Sequence, residues 1–150
     1  MVKDLLCSPF FSFPRSLLRI VIDLLTLLPA LSAPAGALHD ADPDSPEVRD
    51  SAAFALYSFN FFNKDPYLYK ITTFESVKEK DVGGGEYIMD VLLQKTQCRK
   101  KEDTDPQSCL LMTNPQDTKA LLCHFVVLNA PWKQERVLIE SQCHPRQQGQ

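Results

Sequence analysis

"LYKITTFESVKEKDVGGGEYIMDVLLQKTQ", residues 68–97, holds two runs of strand-forming residues around three consecutive glycines. On its C-terminal side Tyr87, Met89, Val91 and Leu93 are apolar at every second position, the period of a strand with one buried face. On its N-terminal side Tyr69, Ile71, Thr72, Thr73, Phe74 and Val77 are β-branched, aromatic or both in turn, so residues 68–82 also read as a strand. Glycine accepts the positive φ values that tight turns use, and Gly83-Gly84-Gly85 therefore reads as the tip of a long hairpin. A phosphate-cradling loop would need a helix after the glycines and a Lys-Ser/Thr pair closing them. Here a second strand follows instead.

Working upstream, Ser45-Pro46-Glu47 has the order of a helix start: a capping hydroxyl, proline at the first helical position, then an acid in the first turn. Val48, Ala52, Ala55, Leu56, Phe59 and Phe62 lie on one helical stripe, which predicts an amphipathic helix over residues 46–62. It should stop near Asn63, because Pro66 disfavours helical geometry in the residue before it.

Downstream, residues 120–128 and 136–141 read as two further strands turning near Pro131-Trp132. Cys123 and Cys143 are symmetric about that turn, so a hairpin would bring their sulfurs opposite each other, as the short Cα separation of a disulfide requires. Cys98 and Cys109 flank a polar loop that cannot form a core and is best closed at its base. Four cysteines allow three pairings; the expected ones are Cys98 with Cys109 and Cys123 with Cys143. No two of these cysteines are two to four residues apart, as ligands of a structural zinc site would be, and no metal or other cofactor is expected. A Cys123-His124 dyad is ruled against, because strand neighbours point to opposite faces.

The first 37 residues have another character. Residues 17–31 are apolar apart from Arg19, Asp23 and Thr26, with Lys3 and Arg15 ahead of them and small residues after them. That is the order of a secretory signal peptide, expected to span residues 1–32, with residue 37 as the alternative end. A membrane anchor is the competing reading, but the run is shorter than the ~20 residues a span needs. Loss of residues 1–32 removes three cations and two anions, so the formal charge of −3 becomes −4. No basic stripe remains to neutralise a phosphate backbone, which excludes nucleic acid as a partner. No Ser/His/Asp or paired-carboxylate arrangement stands out, so the protein is not expected to be an enzyme. No Asn-x-Ser/Thr site is present. The expected architecture is a single domain over residues 33–150 of the α+β class, one helix packed on an antiparallel sheet that wraps it.

Both hairpin tips point toward the same end, and Trp132, the single tryptophan, sits at one of them. A tryptophan at a turn is a good contact residue. The joint pattern of Tyr57-Ser58-Phe59-Asn60 closing a helix, Val82-Gly83-Gly84 followed by Tyr87 and Asp90-Val91, four cysteines at these spacings, and Ala130-Pro131-Trp132 before the last one resembles the secreted, two-disulfide (type 2) cystatins. Residues 38–60 are similar to the epithelial M/E-type branch. The resemblance covers residues 36–143. It implies a roll of one helix on a curved sheet and a monomer, with a domain-swapped dimer as the alternative. It also implies a reversible inhibitor of papain-like cysteine proteases, in which three pieces form a wedge that occludes the enzyme cleft. Carried onto this chain, the glycine hinge of the N-terminal piece falls on Gly36. The first loop falls on Lys80, Asp81, Val82, Gly83 and Gly84, and the second on Pro131 and Trp132.

The departures lie in the first loop. Lys80 stands where the family has glutamine and Asp81 where an apolar residue is common. Two charges would be desolvated on docking, and a glycine-rich loop loses more freedom than a stiffer one, so weaker inhibition is expected. A cystatin-fold binding or reproductive-tract protein that has lost inhibition is the alternative. The family's legumain-directed asparagine would fall on Lys64, with Asn63 one position early, and that activity is not carried over.

Overall fold

The computed structural model describes residues 36–146. Residues 1–35, which hold the expected signal peptide and its end at residue 32, lie outside the described residues, and the alternative end at residue 37 falls just inside them. Five strands and one helix follow in the order β1 (Leu38–Asp40), α1 (Pro46–Phe62), β2 (Tyr67–Lys80), β3 (Glu86–Arg99), β4 (Ala120–Ala130) and β5 (Glu135–Pro145). The strands form one antiparallel sheet in sequence order, β1-β2-β3-β4-β5, with α1 against one face.

The helix starts where its local signals put it. Ser45 Oγ accepts from Val48 N–H at 3.4 Å and Pro46 takes the first position, where a missing N–H costs nothing. Val48, Ala52, Ala55 and Leu56 are buried, as the stripe predicted. The last turn is a correction. Phe62 is 79% exposed, and Asn60, only 4% exposed, occupies the buried position instead. The reason is the edge of the sheet. Asn60 Nδ2 donates to Tyr69 O at 2.9 Å while its Oδ1 accepts from Tyr69 N–H at 2.8 Å. One carboxamide thus replaces a missing neighbour strand at Tyr69.

Two residues along the same edge, Gln107 does likewise for Ile71, accepting its N–H at 3.0 Å and donating to its carbonyl at 3.2 Å. Gln107 belongs to a short 3-10 turn, Pro106–Ser108, capped by Asp105 and held by the Cys98–Cys109 disulfide. Because β1 covers β2 only opposite residues 78–80, the rest of that strand would otherwise offer unpaired backbone groups, a template for association. Two side-chain amides close part of it.

The core alternates as the sequence requires. Tyr87, Met89, Val91 and Leu93 of β3 and Cys123, Phe125 and Val127 of β4 are buried under the helix. The second disulfide, Cys123–Cys143, joins residues directly opposite in the β4–β5 register. Register shifts interrupt β2 against β3 at three places and β4 against β5 between Val126 and Val127. Such bulges add twist and bend a strand, which lets a five-stranded sheet wrap a single helix. The expected count of four strands is corrected to five, since β1 was not anticipated, and β2 ends at Lys80 rather than Val82.

Candidate functional site

Three segments meet at one end of the sheet. The first is the turn between β2 and β3. Val82 N–H donates to Lys80 O at 2.9 Å, and the amides of Gly84 and Gly85 both donate to Val82 O, at 2.7 and 3.3 Å. Gly83 and Gly85 have φ of 54° and 95°, values that favour glycine. Gly84 does not share this φ range and is needed for another reason. A Cβ there would lie 2.3 Å from both Asn129 O and Pro131 Cδ. Glycine is what lets the first tip seat against the second.

That second tip is a 3-10 turn, Pro131–Lys133, closed by Gln134 at φ 51°, whose N–H donates to Pro131 O at 3.1 Å. Asn129 N–H reaches across to Gly85 O at 2.9 Å. The indole of Trp132 lies over Gly83, where a Cβ would sit 3.2 Å from Cζ3, and the residue stays 62% exposed. The aromatic ring is therefore on the surface, shelved on the neighbouring glycine. The third segment is the arm at Gly36, with φ of 94°. Its N–H donates to Asp81 O at 2.9 Å, and Asp81 N–H donates to Ala37 O at 3.3 Å. Lys80 pairs with Leu38 on one side and Glu86 on the other, and its stem passes Gly36, where a Cβ would lie 3.4 Å from Lys80 Cε.

All the residues expected from sequence in the three pieces, Gly36, Lys80, Asp81, Val82, Gly83, Gly84, Pro131 and Trp132, thus converge at one end. Two participants were missed: Gly85 and Asn129. Gly85 was legible as part of the glycine run. Asn129 acts through its backbone, which no side-chain pattern reports. The triple glycine is tied by its own amides and by Asn129 N–H.

Charge and burial around these tips are simple. Tyr87 lies under the first tip, and its hydroxyl donates to Glu79 Oε1 at 3.4 Å. Burial pushes its pKa up, and the charges of Glu79 and Glu47 push the same way, so the phenol stays neutral. All four cysteines among the described residues are in disulfides, so the Cys123-His124 dyad is absent. His124 instead pairs its Nδ1 with Asp90 Oδ1 at 2.7 Å across β3 and β4. What the end of the sheet offers is an aromatic ring, a proline and glycine backbone held in fixed relation.

A family model described as a cystatin domain matches residues 36–132, from the Gly36 arm to the tryptophan of the second tip. The chain belongs to the cystatin family. A cystatin of Micropechis ikaheca is 31% identical over 132 residues, 85% of this chain and 92% of that one. Cystatin-SN of Homo sapiens is 29% identical over 108 residues, 72% of this chain and 76% of that one. The crystal structure of dimeric human cystatin F superposes with a TM-score of 0.70 at 23% identity, covering 81% of this cystatin and 97% of that chain. The two disulfides agree with the type 2 group to which the resemblance pointed. Cystatins are typically inhibitors of cysteine proteases and not enzymes.

In this cystatin Gly84→Ala should drive the two tips apart. The obstacles to the new methyl are a backbone carbonyl and a proline ring, which cannot swing away, and overpacking of this kind costs about 1–3 kcal/mol. Trp132 is the only tryptophan, so its fluorescence reads the tip directly. A changed emission together with a lowered melting temperature is the expected result; wild-type values of both would mean that the tips are not packed.

Proposed function

We propose that this cystatin is a secreted, reversible inhibitor of papain-like cysteine proteases that acts by occlusion without covalent chemistry. The observation that carries the reading is the seating of Trp132 on Gly83, in the same turn whose Asp81 carbonyl holds Gly36 N–H, which brings three chain segments together with an exposed aromatic among them. A ridge already assembled before binding loses little freedom on docking, so more of its contact energy appears as affinity. Secretion is favoured by the two disulfides, which persist in oxidising compartments. Titration of papain or a cathepsin with the purified protein tests the reading: stoichiometric, reversible loss of activity supports it, and full activity at high inhibitor concentration rejects it.

A binding protein without inhibitory activity is the second reading, favoured by the charges at the first tip. Lys80 is half-buried between two strands, and Asp81 is exposed at the tip itself. A closed cleft would strip water from Asp81, and the effective penalty for one ion is several kcal/mol unless a partner is supplied. Replacing Lys80→Gln together with Asp81→Ile should tighten inhibition by at least about tenfold. An inhibition constant that is unchanged or weaker would show that this loop stays out of the cleft.

A further inference from the structure

Around the base of the first tip, three metal-ligating side chains converge from two strands. His39 of β1 is the register partner of Glu79 of β2, and Asp81 follows Glu79 by two residues. One donor atom from each lies within 4.8 Å of the others. His39 Nε2 is 3.6 Å from Glu79 Oε2, and its Nδ1 is 3.9 Å from Asp81 Oδ2. These separations are too long for hydrogen bonds, so the three groups face one another without satisfying one another. On a tetrahedral ion with bonds of about 2.0–2.2 Å, neighbouring ligand atoms are roughly 3.3–3.6 Å apart. Only one ring nitrogen can bind the ion, so from the 4.8 Å bound the donors would draw in by up to roughly 1.5 Å, a movement open to His39 and Asp81, which are exposed.

We propose that His39, Glu79 and Asp81 form a three-ligand site for a borderline divalent cation, with Zn²⁺ the best match and water in the fourth position. The donor set is the argument for the metal. One imidazole with two carboxylates suits zinc, whereas magnesium and calcium prefer oxygen alone. Glu79 is also oriented for the task. The Tyr87 hydroxyl, opposite it in β3, donates to Oε1 and leaves Oε2 facing His39. Outer hydrogen bonds of this kind fix ligand direction. The backbone of Asp81 is anchored on both sides, by Gly36 N–H and Ala37 O. Lys80, between the two acids, has its stem against Gly36. The expectation of no metal rested on the spacing of cysteines, and a set assembled across two strands leaves no such trace in the chain.

An ion here would cross-link β1, only three residues long, to the first tip, and would balance the carboxylate of Asp81. It would hold the Gly36 arm in place and reduce the desolvation that Asp81 imposes. This consequence rests on the inhibitory reading, but the site does not, and its test uses no protease. Protein purified from cells expressing the full chain is titrated with ZnCl₂ by calorimetry at neutral pH, with melting curves alongside. Saturable binding of one equivalent is expected, with a raised melting temperature. His39→Gln and Asp81→Asn, both at exposed positions, should each weaken it by about tenfold or more, while His124→Gln leaves it unchanged. Absence of saturable binding at millimolar zinc overturns the proposal. So does affinity retained in His39→Gln, or Mg²⁺ binding as tightly as Zn²⁺. Circular dichroism of each variant guards against loss of fold.

Discussion

Trp132→Ala should weaken the complex with a papain-like protease by about 2–4 kcal/mol, roughly 30- to 1,000-fold in Kd, while shifting the melting temperature little. The two effects separate because of where the ring sits. At 62% exposed, Trp132 gains little from folding, and its ring lies over Gly83, which presents no side chain to pack. On docking, a rigid aromatic already held on a shelf can bury most of its surface at small entropic cost, the property that makes tryptophan a dominant interface residue. Pro131 beside it restricts the turn further. Inhibition constants measured with unfolding curves for the same preparation decide the matter. If the melting temperature collapses and affinity holds, Trp132 belongs to the fold and the ridge binds by other means. Unfolding is followed by circular dichroism, since the variant has no tryptophan left.

The second large effect is on stability. Asn60→Leu should cost about 2–4 kcal/mol, because it keeps the side-chain size while leaving both the N–H and the carbonyl of Tyr69 without partners beside a buried position. For a domain of this size that lowers the melting temperature by roughly 10 °C or more. The loss has a second face. With Asn60 gone, the β2 edge regains a pair of unsatisfied backbone groups next to Ile71, and edge pairing between copies becomes favourable. Size-exclusion chromatography should therefore show a dimer growing with concentration in Asn60→Leu but not in the parent protein. A melting temperature within a degree of wild type would mean that water serves Tyr69 as well as the amide does.

Asn60 also illustrates why part of the design escapes a linear reading. Its neighbours form a helical stripe that predicts Phe62 as the next buried residue, yet the helix runs past the sheet edge in its last turn and the phenylalanine is left in solvent. Helical periodicity says which residues share a face, not how far the opposing surface extends. The strand β1 was missed for a related reason. Its three residues are all exposed, so no alternation marks them, and they are strand only because β2 lies alongside. The bulges of β2 were hidden likewise, since each is a property of two strands and their relative twist.

What the sequence determined by itself is whatever acts within a turn or a few residues. Ser45, Pro46 and Pro66 bound the helix, and the alternation from Tyr87 to Leu93 chose its strand and the face to bury. The mirror placement of Cys123 and Cys143 about one turn chose their disulfide, because a hairpin brings equally distant residues together. Only the tertiary structure decided how the pieces of the site touch. The seating of Gly84 against Asn129 and Pro131, the shelf under Trp132, and the meeting of His39 with Glu79 and Asp81 each join residues about 40 or more positions apart. Such contacts depend on strand register and accumulated twist across the whole sheet, and a change of one residue in register would turn every side chain involved to the opposite face.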